Sequence, residues 1–486
     1  MNTNKFYVTT PIYYPNSEPH VGTAYTTIIG DVLSRWHKLL GKEVFYLTGT
    51  DEHGKKIENT AKERNMEPKQ FVDSMVIRFK EAWKQLNIDY DRFIRTTDKD
   101  HEEVVKYILQ KIYDNGDIYL GEYEGYYCTS CEAYYLEKDL VNLECPIHKK
   151  KVDKLKEESY FFKLSKYQKK LLDFFKKNPK FIEPEFRKNE IIKRVEEGLN
   201  DLSISRTSFK WGIELPFDNK HISYVWTDAL LNYVSGVGYL KNKKLFNKFW
   251  PADVHLVAKD IQWFHCVIFV ALLFSCSIEP PKKVYSHGFL TIKKEKVSKS
   301  GKMITVKELS KYPADAIRYF LIREIPFGQD GDFSEEALKD RLNNELANDL
   351  GNLVSRSLTM VEKYFDGKIP DGKNELKFDV EKIKKLMEEY RLTDALAEIW
   401  KFVQEINRYI NKEKPWENEK NRETVLYTVL DNLRIVSILL YSFIPETCEK
   451  ISEQVGFEIK DLEDCKVNLL KQSKIKKGEI LFRKVE

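Results

Sequence analysis

Apolar residues fall into two regimes along this chain. Through the first two-thirds, short β-branched and aromatic runs alternate with stretches of helical periodicity. Beyond about residue 341 only the helical period remains. Lys5-Phe6-Tyr7-Val8-Thr9 reads as a buried strand of a parallel sheet. Pro11, Pro15 and Pro19 then forbid regular structure for a loop's length. Val21, Tyr25, Ile28, Ile29, Val32, Leu33, Trp36, Leu39 and Leu40 follow at helical spacing, and Gly41 supplies the stop. A second strand is expected over 43–50, ending in the polar turn Asp51-Glu52-His53-Gly54. Two amphipathic helices, around 71–86 and 101–113, are expected to cover one face of the sheet.

The texture changes at residue 116. Residues 118–127 alternate and are broken by glycines, and an inserted module is expected from 116 to 222. Sheet-like texture returns at 222–229 and 254–260, and Phe264 and His265 then open an apolar helix. That run, 264–278, is too short to cross a bilayer. Long helical segments over 342–364, 379–389, 393–411 and 422–443, with brief breaks, suggest a helix bundle.

With 486 residues the chain is too long for one core. Its 80 basic against 76 acidic residues leave a net charge of +4, too small to argue for nucleic acid except through local patches. Met1-Asn2-Thr3-Asn4 leads straight into the first strand, so no signal peptide and a soluble, cytoplasmic protein without a membrane partner are expected.

Seven cysteines are unevenly placed. Cys266, Cys276, Cys448 and Cys465 are scattered and read as small buried residues. Cys128 and Cys131, and Cys145 and His148, form two turns with two intervening residues each. Such turns aim four soft ligands at one tetrahedral ion, so one structural Zn2+ with a closed ligand shell is expected.

His20 falls at the N-terminus of the first helix, where unpaired N–H groups and the helix dipole attract anions. Gly22 would let a flat ring approach the backbone, and phosphate plus a ring means a nucleotide. Far downstream, Lys296, Ser298 and Lys299, followed by Gly301, form a cationic loop suited to polyphosphate. Asp51 and Asp260 fall at strand ends, where open parallel sheets bind ligands. Taken singly, each has an ordinary reading too: a turn histidine, a solvated basic loop, a helix cap.

Together, His20-Val21-Gly22-Thr23 and Lys296-Val297-Ser298-Lys299-Ser300 resemble the paired motifs of class I aminoacyl-tRNA synthetases, with Thr23 where histidine is common. The cysteine turns and Ser159 to Tyr167 sharpen the resemblance to methionyl-tRNA synthetases carrying a single zinc knuckle. The insertion is too short for the editing domain of isoleucyl, valyl and leucyl relatives.

The resemblance implies an α/β fold: a Rossmann-type parallel-sheet catalytic domain (1–115 and 223–290) split by a zinc-knuckle insertion (116–222). A lysine loop and connecting segment (291–341) and an all-α anticodon-binding bundle (342–486) would follow. It implies that His20, Gly22, Thr23, Lys296, Ser298 and Lys299 bind ATP, with Mg2+ accompanying it, and that His20, Lys296 and Lys299 act in catalysis. Asp51 would hold the amino group of L-methionine. Pro11, Ile12, Tyr14, Trp226, Tyr233, Asp260, Phe264 and His265 would complete its pocket, with Leu230 where many relatives have proline. Asn352, Arg356 and Trp416 would read the anticodon of methionine tRNA.

The tail 444–486 is too short for the oligonucleotide-binding domain that dimerises some relatives, so a monomer is expected. Two rivals stay open: a superfamily member with another substrate, and a non-catalytic zinc-containing RNA-binding protein with the same fold.

Overall fold

The computed structural model describes residues 4–128, 133–135, 140, 142–146, 149–292, 295–296 and 304–485. Strand β1 (Lys5–Tyr13), helix α1 (Val21–Leu39) and strand β2 (Glu43–Thr50) form the unit around which the rest is built. α1 follows the expected period, with Val21, Tyr25, Ile28, Ile29, Val32, Leu33 and Trp36 all buried. Gly41 ends it in the left-handed region at φ 72°, where a side chain is disfavoured.

Helix α2 (Lys55–Glu63) and helix α3 (Pro68–Gln85) lead to strand β3 (Arg92–Arg95), which is followed by helix α4 (Lys99–Asp114). Among the described residues the central sheet has six parallel strands, in the order β3, β2, β1, Val254–Ala258, Val284–His287, Ile182–Glu183. The direction of winding reverses between β1 and Val254–Ala258. Open α/β sheets form their ligand crevice at that point, beyond the carboxyl ends of the strands. The β1–β2 register shifts between Thr9 and Ile12, across Pro11, which has no N–H to give the ladder.

Strand β4 (Ile118–Cys128) pairs antiparallel with Asp153–Phe162, in a four-stranded sheet completed by Ala133–Tyr135 and Leu202–Ser203. The sheet-like texture at 222–229 resolves differently from expectation. Ile222 and Ser223 end a strand, Asp218–Ser223, of a separate small antiparallel sheet, and Val225–Leu230 is a helix. A run this short and almost wholly buried does not reveal its period, so strand and helix look alike in sequence.

The C-terminal region is mostly helical. Arg341–Gly351 is a π-helix running directly into the α-helix Asn352–Phe365, followed by Val380–Glu388, Leu392–Glu413, Arg422–Leu440 and Pro445–Val455. In Leu392–Glu413 the buried positions Leu392, Ala395, Leu396, Ile399, Val403, Ile406 and Ile410 form one stripe. Lys414, at φ 46°, then turns the chain into Pro415. Among the described residues, no helix is long and apolar enough to cross a membrane.

Candidate active site

A cavity of about 620 Å³ opens at the switch point of the sheet. One wall is the β1 loop and the start of α1, with Pro11, Ile12, Tyr14, His20, Gly22 and Thr23. Asp51, just past β2, contributes from the next strand. Trp226, Tyr233, Asp260 and His265 stand on the other wall, beside Leu230. Phe264 does not border the cavity. It stacks behind Trp226, centroids 3.9 Å apart and planes 15° apart, and so sets the tilt of that ring.

His20 caps α1. Its Nδ1 accepts from the Gly22 N–H at 3.1 Å, which assigns the ring proton of the neutral form to Nε2. The His20 N–H donates to Thr23 Oγ1 at 3.1 Å, and that hydroxyl donates to the His20 carbonyl at 2.7 Å, so Thr23 completes a reciprocal cap. A Cβ on Gly22 would lie 3.0 Å from His20 Cε1. The glycine therefore makes room for this protein's own imidazole, a role that the local sequence did not suggest.

The segments that flank the lysine stretch lie beside the same mouth. The backbone of Glu295–Lys296 pairs with Leu290–Ile292, and Leu290 borders the cavity. On the far side, the Val21 N–H donates to Ile304 O at 2.9 Å and the Val306 N–H to Pro19 O at 3.0 Å. Ser298 and Lys299 lie outside the described residues.

The second wall is apolar but hydrogen-bonded at its back. His265 Nδ1 donates to Ile261 O at 2.9 Å, so its Nε2 accepts from the Tyr233 hydroxyl at 2.7 Å. Burial pushes the His265 ring down to about 4, which keeps it neutral. A neutral ring, a buried phenol and a stacked indole form a surface suited to a polarisable, weakly hydrogen-bonding side chain.

Behind Asp51 lies a buried polar group that sequence reasoning missed. Asp228 Oδ2 accepts from His53 Nδ1 at 2.6 Å, and Asp228 Oδ1 accepts from His101 Nε2 at 2.7 Å. Burial alone would raise the Asp228 carboxyl. The His53 charge and the two imidazole bonds outweigh it and hold the group below the usual carboxylate range. Burial likewise opposes charge on His53, but Asp228 raises it above its ordinary value. Nothing in sequence links positions 53, 101 and 228: His53 and His101 stand among polar neighbours, and only Asp228 interrupts a mostly apolar run. Lys56 and Lys150 also border the cavity and carried no local signal.

In the helical region, Asn352 and Arg356 share one helix face, and Asn352 Nδ2 donates to Asn348 Oδ1 at 3.3 Å. Arg356 donates to Asn411 Oδ1 at 2.8 Å, and its guanidinium carbon lies 6.0 Å from the ring centroid of Trp416. Trp416 is 37% exposed. The structure thus joins two of the three residues into one cation–aromatic patch facing solvent.

Of the four candidate zinc ligands, Cys128 ends β4 and Cys145 lies in a tight turn. The Lys149 N–H donates to Cys145 O, and the Cys145 N–H to Lys150 O, each at 2.8 Å. Both cysteines are buried. Cys131 and His148 lie outside the described residues.

An open parallel sheet, a histidine-capped helix at its switch point and a helical C-terminal region define a class I tRNA synthetase. Residues 6–157 and 136–358 match the family of tRNA synthetases class I (M), and residues 373–481 match the anticodon-binding domain of tRNA ligases. The methionine–tRNA ligase of Caldanaerobacter subterraneus subsp. tengcongensis is 47% identical over 99% of this chain and 79% of its own length. That of Thermotoga maritima is 45% identical over 99% of this chain and 80% of its own. The solved Mycobacterium tuberculosis methionyl-tRNA synthetase in complex with methionyl-adenylate superposes with a TM-score of 0.93 at 37% identity, covering 99% of this chain and 100% of that one. The chain belongs to the methionyl-tRNA synthetases, the ligases that attach methionine to tRNA.

Proposed function

We propose that the cavity activates methionine with ATP and that its residues divide the work as follows. A carboxylate oxygen of methionine attacks the α-phosphorus of ATP, and the bond to pyrophosphate breaks. The ribose hydroxyl at the tRNA 3′ end then attacks the activated carbonyl, and AMP leaves. Neither step needs a covalent enzyme intermediate, so positioning and charge stabilisation suffice.

His20 offers its Nε2 proton to phosphate, while Gly22 and Thr23 hold that histidine in its capping pose. Lys296, Ser298 and Lys299 neutralise the departing pyrophosphate, and Mg2+ enters with ATP as its counter-ion. Asp51 takes the α-ammonium of methionine. The thioether rests against Ile12, Tyr14, Trp226, Tyr233 and His265, with Phe264 setting Trp226. Pro11 and Asp260 border the same space. The observation that carries this reading is that His20, Asp51, Trp226 and His265 border one cavity.

Asn352, Arg356 and Trp416 form the anticodon patch: a planar ring for stacking and two side chains for base edges. Cys128, Cys131, Cys145 and His148 hold one structural zinc. The buried Cys128 and Cys145 and the tight turn at Cys145 fit a metal knuckle, whose ion stabilises the module and takes no part in the reaction. The domain divisions at 115, 222, 290 and 341 belong to the same reading, as does a monomer working in the cytoplasm.

Amino-acid-dependent ATP–pyrophosphate exchange, with each amino acid tried separately, tests it. Exchange with methionine alone is the expected result. Exchange with none would favour a non-catalytic RNA-binding protein, and exchange with another amino acid would mean that the apolar wall has been misassigned.

A further inference from the structure

Asp228, two residues from Trp226 in the chain, takes no part in the reaction steps proposed for Asp51 and Trp226. Asp228 is 1% exposed, stands next to Ala229 of the cavity wall in sequence and accepts from two imidazoles on different elements. We propose that Asp228 is a positioning residue for methionine activation, fixing the turn that carries Asp51 against the helix that carries Trp226. This rests on the assignment of the ammonium to Asp51 and of the thioether wall to Trp226.

The connectivity is short. His53 is two residues from Asp51 in the turn after β2, and Asp228 is two residues from Trp226 in the six-residue helix Val225–Leu230. The 2.6 Å bond between His53 and Asp228 therefore ties one recognition element to the other through four intervening backbone steps. Each end is braced in turn. His101 of α4 bonds the second oxygen of Asp228, and its Nδ1 meets Ser235 Oγ at 2.7 Å. On the other side of the turn, Arg95 grips both oxygens of Glu52, at 2.7 and 2.9 Å, and Thr97 adds a bond at 2.6 Å. The Tyr14 hydroxyl donates to the His53 carbonyl at 3.1 Å, so an aromatic of the cavity wall leans on the same turn. The two residues that follow Asp51 are thus both anchored, Glu52 to β3 through Arg95 and His53 to Asp228.

The chemistry calls for a carboxylate. Both imidazoles present an N–H to Asp228, and only a carboxylate offers an acceptor to each. An amide in its place would satisfy one ring and turn its NH2 toward the other. Glutamate, longer by a methylene, would push the helix from the turn or lose the 2.6 Å and 2.7 Å bonds. The arrangement resembles the outer partners that orient a metal-bound histidine, here used to hold a ligand-binding loop.

The test is methionine-dependent pyrophosphate exchange on the full chain with Asp228→Asn, Asp51→Asn and the double substitution. The expected result for Asp228→Asn is a methionine KM raised by about tenfold or more with the ATP KM changed by less than about twofold. In the double variant the two effects should not multiply, because Asp228 acts through Asp51. Equal shifts in both KM values, multiplying effects, or an unchanged methionine KM would each overturn the proposal.

If Asp228→Asn fails to fold, His53→Leu and His53→Gln carry the test. Glutamine can still donate to Asp228, so it should recover most of the methionine KM lost in the leucine variant. Equal KM values in the two would overturn the proposal. If the unaltered chain shows no exchange with methionine, the assignment of the cavity fails and the proposal falls with it. Exchange in the unaltered chain with normal KM values in Asp228→Asn removes the proposal alone.

Discussion

Asp31 of α1 and Arg318 of the helix Ala314–Glu324 form an ion pair at 2.6 Å with neither side chain reaching solvent. Arg318 also donates to the carbonyls of Leu86 at 3.2 Å, and of Ser442 and Phe443 at 2.9 Å. One guanidinium therefore joins the histidine-capped helix, the end of α3 and the turn between the last two long helices. Asp31 is further held by Arg35 Nε and the Asp89 N–H, both at 2.8 Å. Burial favours the protonated acid, but the charges of Arg318 and Arg35 keep the carboxyl below its ordinary value. Removing one partner strands a buried charge, so Asp31→Ala should cost about 3–5 kcal/mol of unfolding free energy. Replacing both with apolar residues of similar volume should recover much of that loss. Urea denaturation of the unaltered chain and the two variants checks the ordering.

The Asp228–His53 pair sets a pH dependence with a definite sign. His53 is raised above its ordinary 6.5, so its contribution is complete below that value and fades as pH rises through the folded-state value. Asp228 is depressed below 3.8, so its contribution is complete above that value and fades as pH falls through the folded-state value. The stability difference between the unaltered chain and Asp228→Asn should be largest between 3.8 and 6.5 and should shrink toward alkaline pH. Denaturation midpoints of both proteins across that range and above it measure the difference directly. A difference that grows with alkalinity would mean that His53 is not the charged partner.

Lys299→Ala should slow methionine-dependent pyrophosphate exchange by about a hundredfold or more while leaving the methionine KM nearly unchanged. The split follows from the proposed role, which neutralises charge on the departing pyrophosphate and touches no part of methionine. A normal rate would remove Lys299 from the phosphate site.

Trp416→Ala should raise the KM for tRNA in aminoacylation by about tenfold, the expected cost of losing one stacking platform for a base. Amino-acid activation, which involves no tRNA, provides the internal control. Equal losses in both assays would point to disrupted packing.

Purified protein should carry one equivalent of zinc, and Cys145→Ser should lower that content. Elemental analysis with melting curves before and after chelation checks this. Loss of metal should melt the module around β4 at lower temperature, because a structural zinc site contributes folding free energy. Full metal content in Cys145→Ser would exclude that cysteine as a ligand.

Local chemistry was legible in the sequence wherever it is carried by neighbours in the chain. The period of Val21 to Trp36, the prolines before it and the stop at Gly41 specify α1 within a few residues, because helix and turn preferences act over one or two turns. Placing His20 at the start of that helix needed only the same information. The regular spacing of the C-terminal segments likewise announced helices close to those found, such as Leu392–Glu413. The helix at Val225–Leu230 was not legible, since it is only six residues long and nearly all of it is buried, polar Thr227 and Asp228 included, so no exposed face marks its period.

Tertiary structure alone decided which distant positions meet. The reversal of strand order between β1 and Val254–Ala258 brings residues about 245 apart in sequence into register, as in Val8 opposite Val254. Folding likewise sets His53 against Asp228 across 175 positions and Asp31 against Arg318. Such contacts leave no periodic trace: a buried charge is recognisable in sequence as a polar residue out of place, but its partner is chosen only when the chain has folded and water has been excluded from both.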